Sequence, residues 1–121
     1  MSDLNDFARR YIDAWNEAEA GARRTKIVEL FAPDAVHYTP TREFHGHEQL
    51  EARFLEAYEQ FVKPGEHVFR AVENANGHHD AVRFNWEMLH LASGEVRGVG
   101  FDFIVLDKEG RIKSDHQFID G

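Results

Sequence analysis

The sequence predicts an α+β fold, with helices packed on one face of a curved sheet, and three observations predict it. Apolar residues recur at helical spacing through most of the first half of the chain. The second half carries β-rich runs, and short glycine-bearing turns join them. Helices grouped early and strands grouped late in 121 residues make one domain, 1–121, around one core.

Residues 3 to about 20 form the first helix. Leu4, Phe7, Tyr11, Trp15 and Ala18 recur every three or four positions, and Ala8 and Ile12 widen the stripe. Ser2 or Asp3 can cap it, and Gly21 closes it or opens a short link. A shorter helix is predicted from about Thr25 to Ala32, burying Ile27, Val28, Leu30 and Phe31, with Pro33-Asp34 as its stop. Residues 35–40 make a short strand that Pro40 ends or confines to an edge. Thr41 to Gly46 reads as loop. A third helix runs from His47 to Val62 on a seam of Leu50, Phe54, Tyr58 and Phe61, broken by Lys63-Pro64-Gly65. Four strands follow, at 67–73, 81–91, 96–106 and 111–119, so the order is ααβαββββ.

Charge and composition exclude several classes of partner. Twenty-two acidic against 14 basic residues give a net charge of −8, which argues against nucleic acid or an anionic membrane. Without cysteine there is no disulfide framework, thiolate chemistry or cysteine-based zinc site. The first residues lack a signal-peptide pattern, and no apolar run approaches the roughly 18 residues of a spanning helix, so a cytoplasmic protein is expected. Both faces of the long strands carry apolar residues: Phe101, Phe103 and Val105 against Ile104 and Leu106, and Trp86 and Met88 against Leu89 and Leu91. A sheet covered on one side alternates more cleanly, so a second copy of the chain is expected over the outer sheet face, as a homodimer.

The stretch from Gly98 to Leu106 places one acid, Asp102, between two phenylalanines and behind two glycines. Burying a carboxylate without a partner costs several kcal/mol unless it keeps its proton or finds a hydrogen bond. Two placements are open. Plain alternation buries Phe101 and Phe103 and turns Asp102 to solvent, whereas glycines on its own face favour a cavity lined by the acid.

Several segments together resemble the nuclear transport factor 2-like superfamily, in its SnoaL-like branch. They are residues 10–16 of the first helix, Leu30-Phe31-Ala32-Pro33-Asp34-Ala35-Val36, Gly46 before the third helix, Gly98-x-Gly-Phe-Asp-Phe, Gly110-Arg111-Ile112 and Gln117-Phe118-Ile119-Asp120. The resemblance covers nearly the whole chain. It implies a cone-shaped half-barrel of a curved, mainly antiparallel sheet, with the three helices on its concave face around one apolar pocket. It does not imply one reaction, because that scaffold hosts isomerases, cyclases, hydrolases, dehydratases and non-catalytic binders.

Among these relatives, ketosteroid isomerases combine an Asp base with an oxyanion hole of Tyr and protonated Asp. By local motif, Tyr11 matches the tyrosine and Asp102 the protonated aspartate. The base does not carry over, because Thr39 stands in its place and cannot abstract a proton from carbon. His37, on the same strand face as Thr39, can replace it, since imidazole titrates near neutrality. Asp115 occupies the position at which SnoaL-like cyclases use an acid for proton transfer. Each has a plainer alternative: a core tyrosine for Tyr11, an exposed strand end for His37, and a solvated face for Asp115. The resemblance adds Trp15, Thr39, Phe54, Tyr58, Trp86, Met88, Gly100 and Gln117 as pocket-lining residues, with Phe7 in the apolar wall. His45-Gly46-His47 and His78-His79-Asp80 lack the spacing of a metal site, and neither metal nor cofactor is expected. The expected function is to hold a small apolar or aromatic molecule, with cofactor-free isomerase, cyclase or (de)hydratase chemistry. The alternative is a non-catalytic ligand-binding or dimerisation module.

Overall fold

The computed structural model describes residues 3–120. Helix α1 (Leu4–Asn16) buries Phe7, Ala8, Tyr11, Ile12 and Trp15, the stripe its periodicity dictates. The Asp3 side chain accepts the Asn5 amide at 3.0 Å, which fixes the start of the helix, while Ser2 lies outside the described residues. Helix α2 (Ala20–Leu30) begins five residues earlier than its apolar positions suggest. The Glu19 carboxylate accepts the amides of Gly21 and Ala22, so Gly21 opens this helix rather than closing α1. Arg23 is buried there and donates to the carbonyl oxygens of Glu17 and Ala18, just past the end of α1.

Strand β1 (Phe31–Tyr38) starts at Phe31, inside the stretch read as helix. Strand β2 (Glu43–His45) follows in the segment read as loop. Helix α3 (Gly46–Ala57) starts on Gly46, whose φ of +79° only glycine adopts cheaply, and a π-helical turn (Tyr58–Val62) extends it. The remaining strands are β3 (His67–Ala71), the short β4 (Asn76–His78), β5 (Ala81–His90), β6 (Val96–Leu106) and β7 (Ile112–Ile119).

The sheet corrects the expected shape. Among the described residues its strands run in the order β2-β1-β7-β6-β5-β3, with β4 also paired to β5, and β2 and β3 stand at opposite ends with no partner beyond them. It is an open mixed sheet, neither closed nor strongly curled, and not a cone-shaped half-barrel. Two features account for this. The first and last long strands, β1 and β7, pair in parallel at the interior of the sheet, and the edge strands have three and five residues. The helices pack on one face, so the α+β class stands while the curvature does not.

Register decides which side chains meet the helices. Val82↔Ile104, Phe84↔Asp102 and Trp86↔Gly100 are opposed pairs on that inner face. Phe101 and Phe103 face outward, and Phe103 is 39% exposed. Gly100 is the pair that cannot change, because a Cβ there would enter the Trp86 indole and lie 2.7 Å from the Phe118 carbonyl oxygen. Replacing Gly100 by Ala is therefore expected to displace Trp86 and destabilise the fold by about 1–3 kcal/mol. Urea unfolding followed by tryptophan fluorescence checks this, and an unchanged midpoint would contradict the packing.

Candidate functional site

Four buried side chains converge beneath the helices: Tyr11 from α1, His37 from β1, Asp102 from β6 and Asp115 from β7, each with no solvent exposure. The parallel β1–β7 ladder sets His37 beside Asp115, and the β6–β7 register brings Asp102 to the diagonal of Asp115 on the same face. The four are tied by hydrogen bonds. The Tyr11 hydroxyl lies 2.5 Å from Asp115 Oδ2 and 3.1 Å from Asp102 Oδ2. His37 Nδ1 lies 2.9 Å from Asp115 Oδ2, and the Trp86 indole N–H donates to Asp102 Oδ1 at 2.8 Å.

Burial sets the charge states. Asp102 is pushed well above the ordinary carboxylate range, first by desolvation and then by the charge of Asp115 beside it. Asp115 is also raised by desolvation, but hydrogen bonds from Asp102 and Tyr11 and the charge of Arg53 oppose the rise. The proton that two facing carboxylates must share therefore resides on Asp102. Tyr11 is raised well above 10 by burial and by both acids, so it stays a donor. His37 is lowered to about 4, chiefly by desolvation, and is neutral at pH 7 despite its contact with Asp115. Neutral His37 then donates from Nδ1 to Asp115, which leaves Nε2 as an acceptor; Nε2 and Asp115 Oδ1 are buried with no partner among the described residues.

Beside this cluster lies a cavity of ≈ 190 Å³ with a largely apolar wall. It is lined by Ile12, Trp15, Ala57, Phe61, Phe69, Trp86, Met88, Gly98 and Ile119, with Gln117, Arg53 and Arg97 as its polar members. Trp15 and Trp86 belong to both places. The indole of Trp86 walls the cavity while its N–H holds Asp102, and Trp15 lies 5.7 Å from His37 between ring centroids.

Of the residues singled out in the sequence, Trp15, Trp86, Met88 and Gln117 line the cavity. Phe54 is buried behind it, stacked on Trp15 at 3.8 Å, and Phe7 is core. Tyr58 lies under the Arg23 guanidinium, Gly100 lies under Trp86, and the Thr39 hydroxyl closes a turn with Arg42. Arg53 was not anticipated. Its signal is visible in retrospect, since a cation at position 53 interrupts the Leu50, Phe54, Ala57 stripe of α3.

Donor chemistry for a metal also exists: atoms of His37, Asp102 and Asp115 lie within 4.8 Å of one another. Three strands contribute them, so no sequence spacing reveals the set. Trp86 and Tyr11 lie against three of the four carboxylate oxygens, while Asp115 Oδ1 and His37 Nε2 have no partner among the described residues.

The sequence profile of the SnoaL-like domain matches residues 8–114. The chain belongs to the SnoaL-like family. No curated protein matches it. Among solved structures, this SnoaL-like chain is similar to an Agrobacterium tumefaciens protein named provisionally as an isomerase of that family, at 26% identity and TM-score 0.89 over 100% of both chains. A Sinorhizobium meliloti protein named provisionally as a polyketide cyclase aligns over 95% of both chains at 19% identity and TM-score 0.71. A SnoaL-like protein of unknown function from Burkholderia thailandensis aligns at 19% identity and TM-score 0.73, over 98% of this chain and 95% of that one. These last two likenesses carry the fold alone. Among the described residues no helix is long and apolar enough to cross a membrane.

The raised Asp102 has a consequence for stability. The unfolded acid ionises near 3.9 while the buried one holds its proton, so folding stability is lost as pH rises from there toward the native value. Asp102→Asn keeps a neutral acceptor for Trp86 and is expected to raise Tm at pH 7, with a gain over wild type that grows from pH 4 upward. Thermal melts across pH 4–8 check it, and a constant or negative difference would mean that Asp102 is ionised in the native state.

Proposed function

We propose that this SnoaL-like protein binds a small apolar or single-ring molecule bearing a carbonyl in the cavity and moves a proton on it without a cofactor. One observation carries the reading: two buried carboxylates, a tyrosine and a neutral histidine share one point against the wall of an apolar cavity. When a ligand in the cavity displaces the Trp15 or Trp86 ring that separates it from the cluster, protonated Asp102 and Tyr11 become donors for a carbonyl oxygen that turns into an enolate. His37 Nε2 takes the proton from the adjacent carbon and returns it to the γ carbon, so the double bond moves and no atom is gained or lost. Asp115 accepts the Nδ1–H throughout and offsets the charge on the imidazolium. The isomerase name given to the Agrobacterium relative supports this class of reaction.

A second reading, a ligand-binding module with no reaction, is favoured by one fact. The four cluster side chains are sealed, and none of them lines the cavity. In either reading a second copy of the chain covers the outer sheet face, where Val99, Phe103 and Phe118 are exposed together on neighbouring strands.

The probe 3-cyclohexen-1-one separates the two readings, since its conversion to the conjugated enone is read by ultraviolet absorbance. Catalysis predicts a rate above buffer that Tyr11→Phe and Asp102→Asn each reduce about 10²-fold or more. Its acid limb falls near pH 4, where His37 is protonated, rather than near 6.5. Quenching of tryptophan fluorescence by the probe with no turnover would leave the binding module. For the assembly, sedimentation is expected to give a dimer that Phe103→Lys with Phe118→Lys converts to monomer, and a monomeric wild type would remove the second copy.

A further inference from the structure

Arg53 is a cation that the proton-transfer chemistry does not use. Its side chain is only 14% exposed, with the guanidinium over the rings of Trp15 at 5.3 Å and Phe44 at 5.8 Å, and it forms part of the cavity wall. Such a position costs solvation, and desolvation lowers the pKa of Arg53 accordingly. Its partners do not balance the charge. Nη2 donates to the neutral amide oxygen of Gln117 at 2.9 Å, and Nε is buried with no partner among the described residues. Glu56 lies 3.4 Å from Nη1, but that carboxylate is about half exposed and already forked by both terminal nitrogens of Arg42. Asp115 feels the charge of Arg53 without forming a hydrogen bond to it.

We infer that the cavity takes a small apolar molecule carrying a carboxylate, and that Arg53 with Gln117 is the anchor for that group. The inference rests on the cavity being the ligand site, as proposed above, and adds the chemical class of the ligand. A planar guanidinium fork matches a carboxylate in two parallel hydrogen bonds. Gln117 lines the same cavity and has its amide oxygen committed to Arg53, which leaves its NH₂ as a further donor. The rest of the wall is hydrocarbon and aromatic ring, which suits an alicyclic or aryl body. Arg97 also lies in the lining, but its guanidinium is paired with the Glu95 carboxylate at 3.0 Å, so Arg53 is the cation left to the ligand. On a protein of net charge −8, the Arg53 guanidinium in the wall of an apolar cavity provides local attraction for an anion that the whole molecule repels.

The test compares cyclohexanecarboxylate with its neutral amide, cyclohexanecarboxamide, by calorimetric titration at pH 7. Wild type is expected to bind the acid at least tenfold more tightly than the amide. Arg53→Met is expected to bring the two within twofold, and Arg53→Lys, which keeps charge and loses the fork, to fall between. Arg24→Gln, an exposed residue of α2 outside the cavity, keeps the wild-type preference. If wild type binds acid and amide alike, the anchor is wrong while the cavity remains a ligand site. If neither binds, the cavity reading itself falls. Should Arg53→Met fail to fold, as circular dichroism would show, the wild-type comparison together with Arg53→Lys decides.

Discussion

Tyr11 sends its hydroxyl through an aromatic layer to reach two buried carboxyl groups. Its ring is packed among Trp15, Phe31, Phe54 and Phe84, each within 6.4 Å between centroids, and its oxygen meets Asp115 and Asp102. That contact joins α1 to β6 and β7, the first element of the chain to the last. An apolar helix alone would bury its stripe at any of several rotations on the sheet. A hydroxyl that must meet both buried acids, donating to Asp115 and accepting from protonated Asp102, admits one, because breaking a buried hydrogen-bond network costs more than a methylene-sized packing error.

The same demand shapes the neighbouring cavity. Asp102 needs a second donor at Oδ1, and Trp86 supplies it by laying its indole across Gly100 on the adjoining strand. The absence of a side chain at Gly98 and Gly100 leaves the inner face of β6 open there, and the ring that satisfies the acid becomes a wall of the space. Cavity and cluster are thus consequences of one arrangement. A carboxyl kept neutral by burial is suited to give a hydrogen bond, and a neutral histidine beside a carboxylate is suited to take a proton.

Much of the fold was legible because hydrophobic period is a local property. α1 and the three long strands β5, β6 and β7 follow from it within a few residues. The start of α2 was not, because Glu19 caps it with a side chain unusual in that role, ahead of any apolar residue. Phe31 and Ala32 read as helix because two buried residues in succession fit either period, and their strand state is set by pairing with β7, far along the chain. The open sheet was hidden for the same reason: closure depends on whether edge strands meet, which no local pattern encodes. Asp102 was recognisable as anomalous, whereas its partners Trp86 and Asp115 come from other strands and depend on register. Thr39, placed in the pocket by resemblance, instead serves its own turn, since a hydroxyl three residues from Arg42 finds backbone partners locally.

Arg53 connects the two halves of the site electrostatically. Burial dominates the low pKa of His37, and Arg53 deepens it; burial raises Asp115, and Arg53 holds that rise back. A ligand carboxylate seated on the guanidinium would offset that charge. Both groups would then bind a proton more readily, so the base at His37 Nε2 would strengthen when the anchor is filled and weaken when it is empty. An anchor of this kind discriminates twice, once through the attraction that holds the anion and again through the basicity the anion restores. A neutral ligand of the same shape would fill the cavity and leave the imidazole a weak base. The cation that looks misplaced on the apolar stripe of α3 would thereby make the proton chemistry answer to the charge of what is bound.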